Sequence, residues 1–327
     1  VAASALYLGV VRARHPAPGA GAKPKKLAVG VLPDGEADLV YLASALGYFA
    51  EEGLDVELVR FTRGRRGLGL LERGGVDIAV VGDIALVMEQ LPRSDYALLA
   101  TVGHVDEHLL VVARKDRGVT APADLAGKRV GIESRMSARY LTHRFLEAHG
   151  LGERDVVLVQ DRLDTLTGAL GRGDIDAIVD PLSDNHPAVR AAPGVELVTL
   201  PEPGSTRLSF HAVASRAFVR KNPAAFRVFV RALLRALDDT RARKGEAERA
   251  LAAAFGVPGA RVTDDWNHTV FEVSLDPSLL DALDDIERWA RSARYVDGEH
   301  GPFAAMIYAD ALLAERPAAV TLLPAAP

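Results

Sequence analysis

From Leu27 onward the chain alternates short apolar runs with longer stretches whose apolar residues recur every three or four positions. Leu27 to Val31 is one such run, and Leu39, Leu42, Ala43, Leu46, Phe49 and Ala50 then follow at helical spacing. This predicts a strand feeding an amphipathic helix. Gly53 stops that helix, and Asp55 to Val59 alternates as a strand does. A second helical stretch ends at Gly74-Gly75, and Asp77 to Val81 reads as a third strand. The same order returns later, with Arg129 to Glu133 as strand, Ser137 to His149 as helix and Asp155 to Val159 as strand.

The two halves also match residue by residue. Leu71 to Val80 (LERGGVDIAV) aligns at a constant offset with Leu170 to Val179 (LGRGDIDAIV). In both copies a glycine ends a helix and an aspartate precedes a buried strand. Gly53-Leu54 answers Gly150-Leu151, and Val29-Gly30-Val31 answers Val130-Gly131-Ile132. Two similar α/β lobes are predicted, each a mostly parallel sheet flanked by helices, with ligand contacts at the carboxyl ends of the strands. The apolar stretch Glu107 to Ala113 is suited to crossing between lobes and Ser209 to Ser215 to returning, which would make a hinge. After the return the chain reads as helical, with one stripe of Phe226, Phe229, Val230, Leu233, Leu234 and Leu237 and another of Leu279, Leu280, Leu283, Ile286 and Trp289. These helices are expected to pack on lobe one.

Residues 1 to 11, VAASALYLGVV, are apolar and are followed by Arg12, Arg14 and a Pro/Gly/Ala/Lys stretch to Lys26. They read as the remnant of an export signal or membrane anchor with its linker, since a full span needs roughly 20 apolar residues. The expected organisation is therefore 1–26 signal or anchor remnant and linker, 27–106 first part of lobe one, 107–208 crossover strand and lobe two, and 209–327 return strand, completion of lobe one and C-terminal helices.

Composition narrows the chemistry. A chain of 327 residues that is 49% hydrophobic and 25% charged is a soluble globular protein with room for two lobes. A formal charge of -5 gives no basic field, so nucleic acid is not an expected partner. There are no cysteines, which excludes disulfides, thiolate zinc sites and cysteine nucleophiles. No G-x-S-x-G, Walker loop or H-E-x-x-H occurs, and Gly67-Leu68-Gly69 lacks the third glycine of a dinucleotide fingerprint. His104 and His108 are four apart, but His108 leads into a strand, where that spacing separates them by about 13 Å. Neither a metal nor another cofactor is expected, and no catalytic residue is assigned.

Five segments taken in order resemble a known family. They are Leu46 to Leu58 (LGYFAEEGLDVEL), Gly75 to Ala79 (GVDIA), Asp124 to Ile132 (DLAGKRVGI), Gly173 to Ala177 (GDIDA) and Lys221 to Phe226 (KNPAAF). From about Leu27 to about Leu313 the chain is similar to the extracytoplasmic solute-binding proteins of ABC importers, in the branch for nitrate, sulfonates, taurine and thiamine-pyrimidine precursors. The resemblance implies an α/β two-lobe clamp of the periplasmic-binding-protein type II fold. It also implies a monomer without enzymatic activity, located outside the cytoplasm, that delivers a small molecule to a membrane permease. Two other readings are compatible with the same fold: a ligand-sensing module of a signalling system, or an enzyme of the thiamine-pyrimidine or menaquinone type. The fungal-type pyrimidine synthase uses a cysteine-rich iron motif, which this chain lacks.

The turns at the carboxyl ends of the strands supply the candidate site. In lobe one these are Pro33, Asp34, Glu36 and Asp38 after the first strand, Gly82 and Asp83 after the third, and His104 in the loop before the hinge. In lobe two they are Ser134, Arg135, Met136 and Ser137 after the first strand, and Asp180 and Asn185 after the third. A helix start has unpaired backbone N–H groups and about half a positive charge, so the Ser134–Ser137 turn suits an anion or a carbonyl oxygen. The carboxylates of lobe one would repel a plain anion, which extends the expected solute to zwitterions. Phe61 and Tyr140 are the aromatic residues placed near these turns.

Overall fold

The structure is a computed structural model. It describes residues 25–32, 35, 37–89, 93–107, 110–180, 195–201, 204, 206–298 and 301–322. Along the chain the elements are β1 (Lys25–Val31), α1 (Asp38–Ala45), α2 (Tyr48–Glu51), β2 (Leu54–Arg60), α3 (Gly64–Glu72), β3 (Ile78–Gly82), α4 (Asp83–Met88), β4 (Tyr96–Glu107) and β5 (Leu110–Arg114). There follow β6 (Arg129–Glu133), α5 (Met136–Ala148), β7 (Val157–Asp161), α6 (Leu163–Arg172), β8 (Ala177–Asp180), β9 (Leu197–Leu200) and β10 (Thr206–Ser215). The last part holds α7 (Arg216–Lys221), α8 (Pro223–Ala242), α9 (Lys244–Phe255), α10 (Gly259–His268), β11 (Thr269–Val270), α11 (Pro277–Ser292) and α12 (Asp310–Glu315). Among the described residues no helix is long and apolar enough to cross a membrane.

The chain divides into two compact units. The first comprises residues up to 105 and from 208 onward, and the second is Asp106–Arg207. The first holds a six-stranded sheet in the order β11-β4-β10-β3-β1-β2, and the second a five-stranded sheet in the order β7-β6-β8-β5-β9. β1, β2 and β3 run parallel, with β10 antiparallel to β3. In the second unit β6, β7 and β8 run parallel, with β5 antiparallel to β8 and β9.

The sequence repeat has a structural cause. The Asp77 carboxylate accepts the Ala28 N–H at 2.8 Å, while the Asp77 N–H donates to the Ala28 carbonyl at 2.8 Å. In the second unit Asp176 does the same to Arg129, at 2.9 and 2.8 Å. Each aspartate therefore pins the start of the third strand of its βαβ unit to the first strand. A carboxylate accepting a backbone N–H is a strong hydrogen bond, and it sets the strand register that decides which side chains face the helices.

Close helix–sheet approach accounts for the glycines. A Cβ on Gly131 would lie 2.7 Å from the Ile175 side chain and 2.9 Å from Leu166. Gly30, its counterpart, faces Phe61 and Val76 in the same way, at 3.1 and 3.4 Å. Gly67, the residue that opens the dinucleotide-like pattern, sits against the Phe61 ring, which a Cβ would meet at 2.4 Å. The glycine is there to let α3 close on the sheet.

The C-terminal helices pack within the first unit as the stripes predict. Phe226, Phe229, Val230, Leu233, Leu234 and Leu237 of α8 are buried, and α8 and α9 lie against α1 while α11 lies against α4. Phe49 and Phe229 stack with ring centres 5.4 Å apart. The glutamates of the LGYFAEEGL segment also have partners here: Glu52 pairs with Arg231 at 2.9 Å, and Glu51 with Arg235 at 2.5 Å.

The crossing strand differs from expectation. β4 begins at Tyr96 and runs for 12 residues to Glu107, and β5 is a separate strand in the second unit's sheet. Gly103 and His104 look like loop residues, yet they continue β4 because the polar side chain finds a buried partner. Gly131→Ala is expected to lower unfolding stability by about 1 to 3 kcal/mol, as overpacking against Ile175 and Leu166 does, measured as a shifted denaturant midpoint at unchanged slope.

Candidate functional site

In the first unit the parallel strands end together at Val31, Arg60 and Gly82. β10 enters this edge from the opposite direction, with Phe210 opposite Gly82. Pro33, Asp34 and Glu36, expected in the turn after β1, lie outside the described residues. Asp38 is the first residue of α1 and Asp83 the first of α4, and they are 7% and 2% exposed. The two described carboxylates are thus drawn into the fold rather than displayed.

Asp83 has its own structural duty. One oxygen accepts the N–H of Ile84 at 2.7 Å and the other accepts that of Ser209 at 3.0 Å. The side chain joins the start of α4 to β10. Burial pushes its pKa up to about 6, against the lowering effect of those N–H donors.

His104 belongs to β4, not to a loop, and is 4% exposed. Its Nδ1 is 2.6 Å from Glu272 Oε1, and Ser274 Oγ lies 2.8 Å from Glu272 Oε2 and 3.2 Å from Asp276 Oδ2. Burial works against the Glu272 carboxylate, but the hydrogen bonds from His104 and Ser274 hold it below the usual range. Thr101 and Ser274 exchange backbone hydrogen bonds at 2.9 and 3.1 Å, and Thr101 Oγ1 meets Nδ1 of the fully buried His211 at 3.2 Å. Burial drives the His211 pKa down to about 4, opposed by the charges of Glu272 and Asp276. His211 Nε2 has no hydrogen-bond partner among the described residues. Reading the sequence did not single out Glu272 or His211: their partners are distant along the chain, and no local pattern marks them.

In the second unit β6 ends at Glu133, and α5 starts at Met136 with Arg135 as its N-cap residue. Arg135 is in an extended conformation (φ −126°, ψ 147°), and no side chain caps the helix. The Ser134 N–H donates to Asp161 at 3.1 Å and the Arg135 N–H to Glu133 at 2.7 Å, which folds the turn back on its own strand ends. Ser134 and Arg135 are exposed, while Met136 and Ser137 are half-buried. The Arg135 guanidinium is 3.0 Å from the Glu133 carboxylate and its side chain remains 66% exposed. Asp180 ends β8, the strand beside β6, so its backbone reaches the same edge. Asn185 lies outside the described residues. Ser134, Arg135, Met136 and Ser137 thus form one polar helix start at a carboxyl edge, with Asp180 on the adjacent strand.

Phe61 is 2% exposed and Tyr140 4%, so neither ring is available for stacking on a solute. Among the described residues no group of three or more histidines and carboxylates is placed to hold a metal ion.

Residues 37–247 match the family described as NMT1/THI5 like. The chain belongs to that family. The riboflavin-binding protein RibY of Chloroflexus aurantiacus is 28% identical over 232 residues, 68% of this chain and 63% of the relative. The chain therefore spans less than two thirds of that relative's length. The 4-amino-5-hydroxymethyl-2-methylpyrimidine phosphate synthase of Aspergillus parasiticus is 26% identical over 273 residues, 78% of this chain and 77% of the relative. Among solved structures, the alkanesulfonate-binding protein SsuA from Xanthomonas axonopodis pv. citri bound to MOPS superposes with a TM-score of 0.64 at 20% identity, covering 88% of this chain and all of that one. The NMT1/THI5-like chain thus has the α/β fold of the periplasmic binding proteins.

Asp83 and His211 lead to a pH prediction in which two contributions oppose each other. His211 rises toward an ordinary 6.5 on unfolding, so the stability it contributes is complete above that pH and is lost as pH falls through about 4. Asp83 falls toward an ordinary 3.8 on unfolding, so its contribution is complete below that pH and is lost as pH rises through about 6. Each is worth on the order of 3 kcal/mol, and together they nearly cancel between the two limits. Asp83→Asn is therefore expected to destabilise progressively with acid, and His211→Gln to gain stability relative to neutral pH. Urea unfolding across this range checks both slopes.

Proposed function

We propose that this NMT1/THI5-like protein is an extracytoplasmic solute-binding protein that takes up a small anionic or zwitterionic molecule and delivers it to an ABC-type permease. The observation that carries the reading is the start of α5. An uncapped helix N-terminus, an exposed Arg135 guanidinium and the hydroxyls of Ser134 and Ser137 converge at a carboxyl edge. Backbone N–H groups and a guanidinium together recognise carboxylate, sulfonate or phosphate oxygens, and the strand ends hold them rigidly. The names of relatives agree in kind: riboflavin-binding, formylaminopyrimidine-binding and alkanesulfonate-binding proteins all take small polar molecules. The apolar residues 1 to 11 suit export or tethering, and a monomer suffices because each unit carries its own core.

The pyrimidine phosphate synthase relative is the observation that favours an enzyme. Against it, the chain has no cysteine to supply a thiolate, and the described edges pair helix starts with committed carboxylates rather than with a base beside a nucleophile. Incubation with candidate substrates separates the two readings: turnover would favour the enzyme, and stoichiometric capture without turnover the carrier.

Mass spectrometry of the molecule retained through purification is expected to identify one polar solute bearing an oxyanion. With that solute in calorimetry, Arg135→Ala is expected to cost about 1.5 to 3 kcal/mol of binding, as loss of a charge-assisted hydrogen bond does. Unchanged affinity would remove Arg135 from the site.

A further inference from the structure

Arginines in this protein are mostly neutralised where they stand. Arg93 pairs with Glu287, Arg139 with Glu153, Arg231 with Glu315 and Arg235 with Glu51. Three exposed arginines without such a partner among the described residues lie together. A groove of about 490 Å³ along α3 is lined by Arg63, Arg65, Arg66 and Arg73 and also by Glu72 and Glu89. Arg65 is 3.2 Å from Glu89. Arg63, Arg66 and Arg73 have no ion pair or side-chain hydrogen bond among the described residues, and all three are exposed.

The grouping follows from helical spacing. Arg63 is the residue before α3, Arg66 lies in its first turn and Arg73 is the residue after it, and all three line the same groove, where like charges repel. Gly69 lies between them. A Cβ there would be 3.2 Å from Nη1 of Arg73 and 3.7 Å from its central carbon, so the guanidinium lies in the space that the missing side chain leaves. The groove thus has a floor of backbone and an arginine laid along it. It starts where α3 begins, and Arg63 at the N-cap provides no side-chain cap to the helix. Exposed guanidiniums that repel one another are stabilised by a multivalent oxyanion that bridges them.

We propose that the α3 groove binds a phosphate group through Arg63, Arg66 and Arg73, either as the free anion or as the head of an anionic lipid. The groove belongs to the first unit, and the proposal does not rest on the role given to α5.

The test uses the full chain in two arms at low ionic strength, where exposed charges are least screened. Inorganic phosphate is titrated by calorimetry, and vesicles of phosphatidylcholine with and without phosphatidylglycerol are tested by flotation. Two variants accompany the native chain: the double substitution Arg66→Ala with Arg73→Ala, and Gly69→Glu, which puts a carboxylate into the groove. Binding of phosphate that weakens at least ten-fold in both variants assigns the free anion. Binding only to phosphatidylglycerol vesicles, weakened in the same way, assigns the lipid. No binding by the native chain in either arm, or binding that both variants retain, overturns the proposal. Far-UV circular dichroism confirms that the variants are folded.

Discussion

The structure depends on a carboxylate that ties one parallel strand to the next. Asp77 holds Ala28 through both its side chain and its backbone, and Asp176 holds Arg129 in the same way. A parallel pair has no tight hairpin to set its register, and a slip of one residue would turn every side chain to the wrong face. The aspartates remove that freedom in the middle of β1 and at the amino end of β6. With the register set, Val29 lies opposite Ile78 and Gly131 opposite Ile178, and the strands end level at the opposite edge. The helix starts at Asp83 and Met136 take their positions from this constraint.

What those helix starts do differs between the units. In the second unit the start of α5 is left without a side-chain cap, and its polar residues face outward. In the first unit Asp83 turns inward and spends both oxygens on backbone N–H groups, one of them on β10. Two helix starts at carboxyl edges, one after the third strand of its unit and one after the first, therefore take different parts: assembly for Asp83 and a proposed recognition role for the start of α5. Carboxylate burial raises the cost of ionisation, and the neighbouring β10 carries a buried histidine with the opposite tendency. A sheet that runs so close to several buried titratable groups needs them satisfied internally, and the chain Asp276–Ser274–Glu272–His104 does so for His104.

The fold was legible because its signals are local. Glycine at the end of a helix, aspartate before a strand and apolar residues at helical spacing each depend on neighbours in sequence, so β6 was read to the residue and α5 to within one. The stripes of α8 and α11 were equally plain. The candidate site was legible only in part. Ser134 to Ser137 could be located as a turn, since a strand end and a helix start bracket them. Asp38 and Asp83 lie buried, which the sequence did not show, because charge in a sequence says nothing of burial.

The sequence by itself determined the repeat, the strand and helix order and the family, all of which follow from periodicity and from short-range hydrogen bonding. Only the tertiary structure decided which polar residues face solvent. His104 became part of a strand because Glu272, far along the chain, receives its N–H, and Asp83 was withdrawn because Ser209 offers it a backbone donor. Those pairings join residues that share no pattern in sequence. Their geometry exists only once the sheets are built.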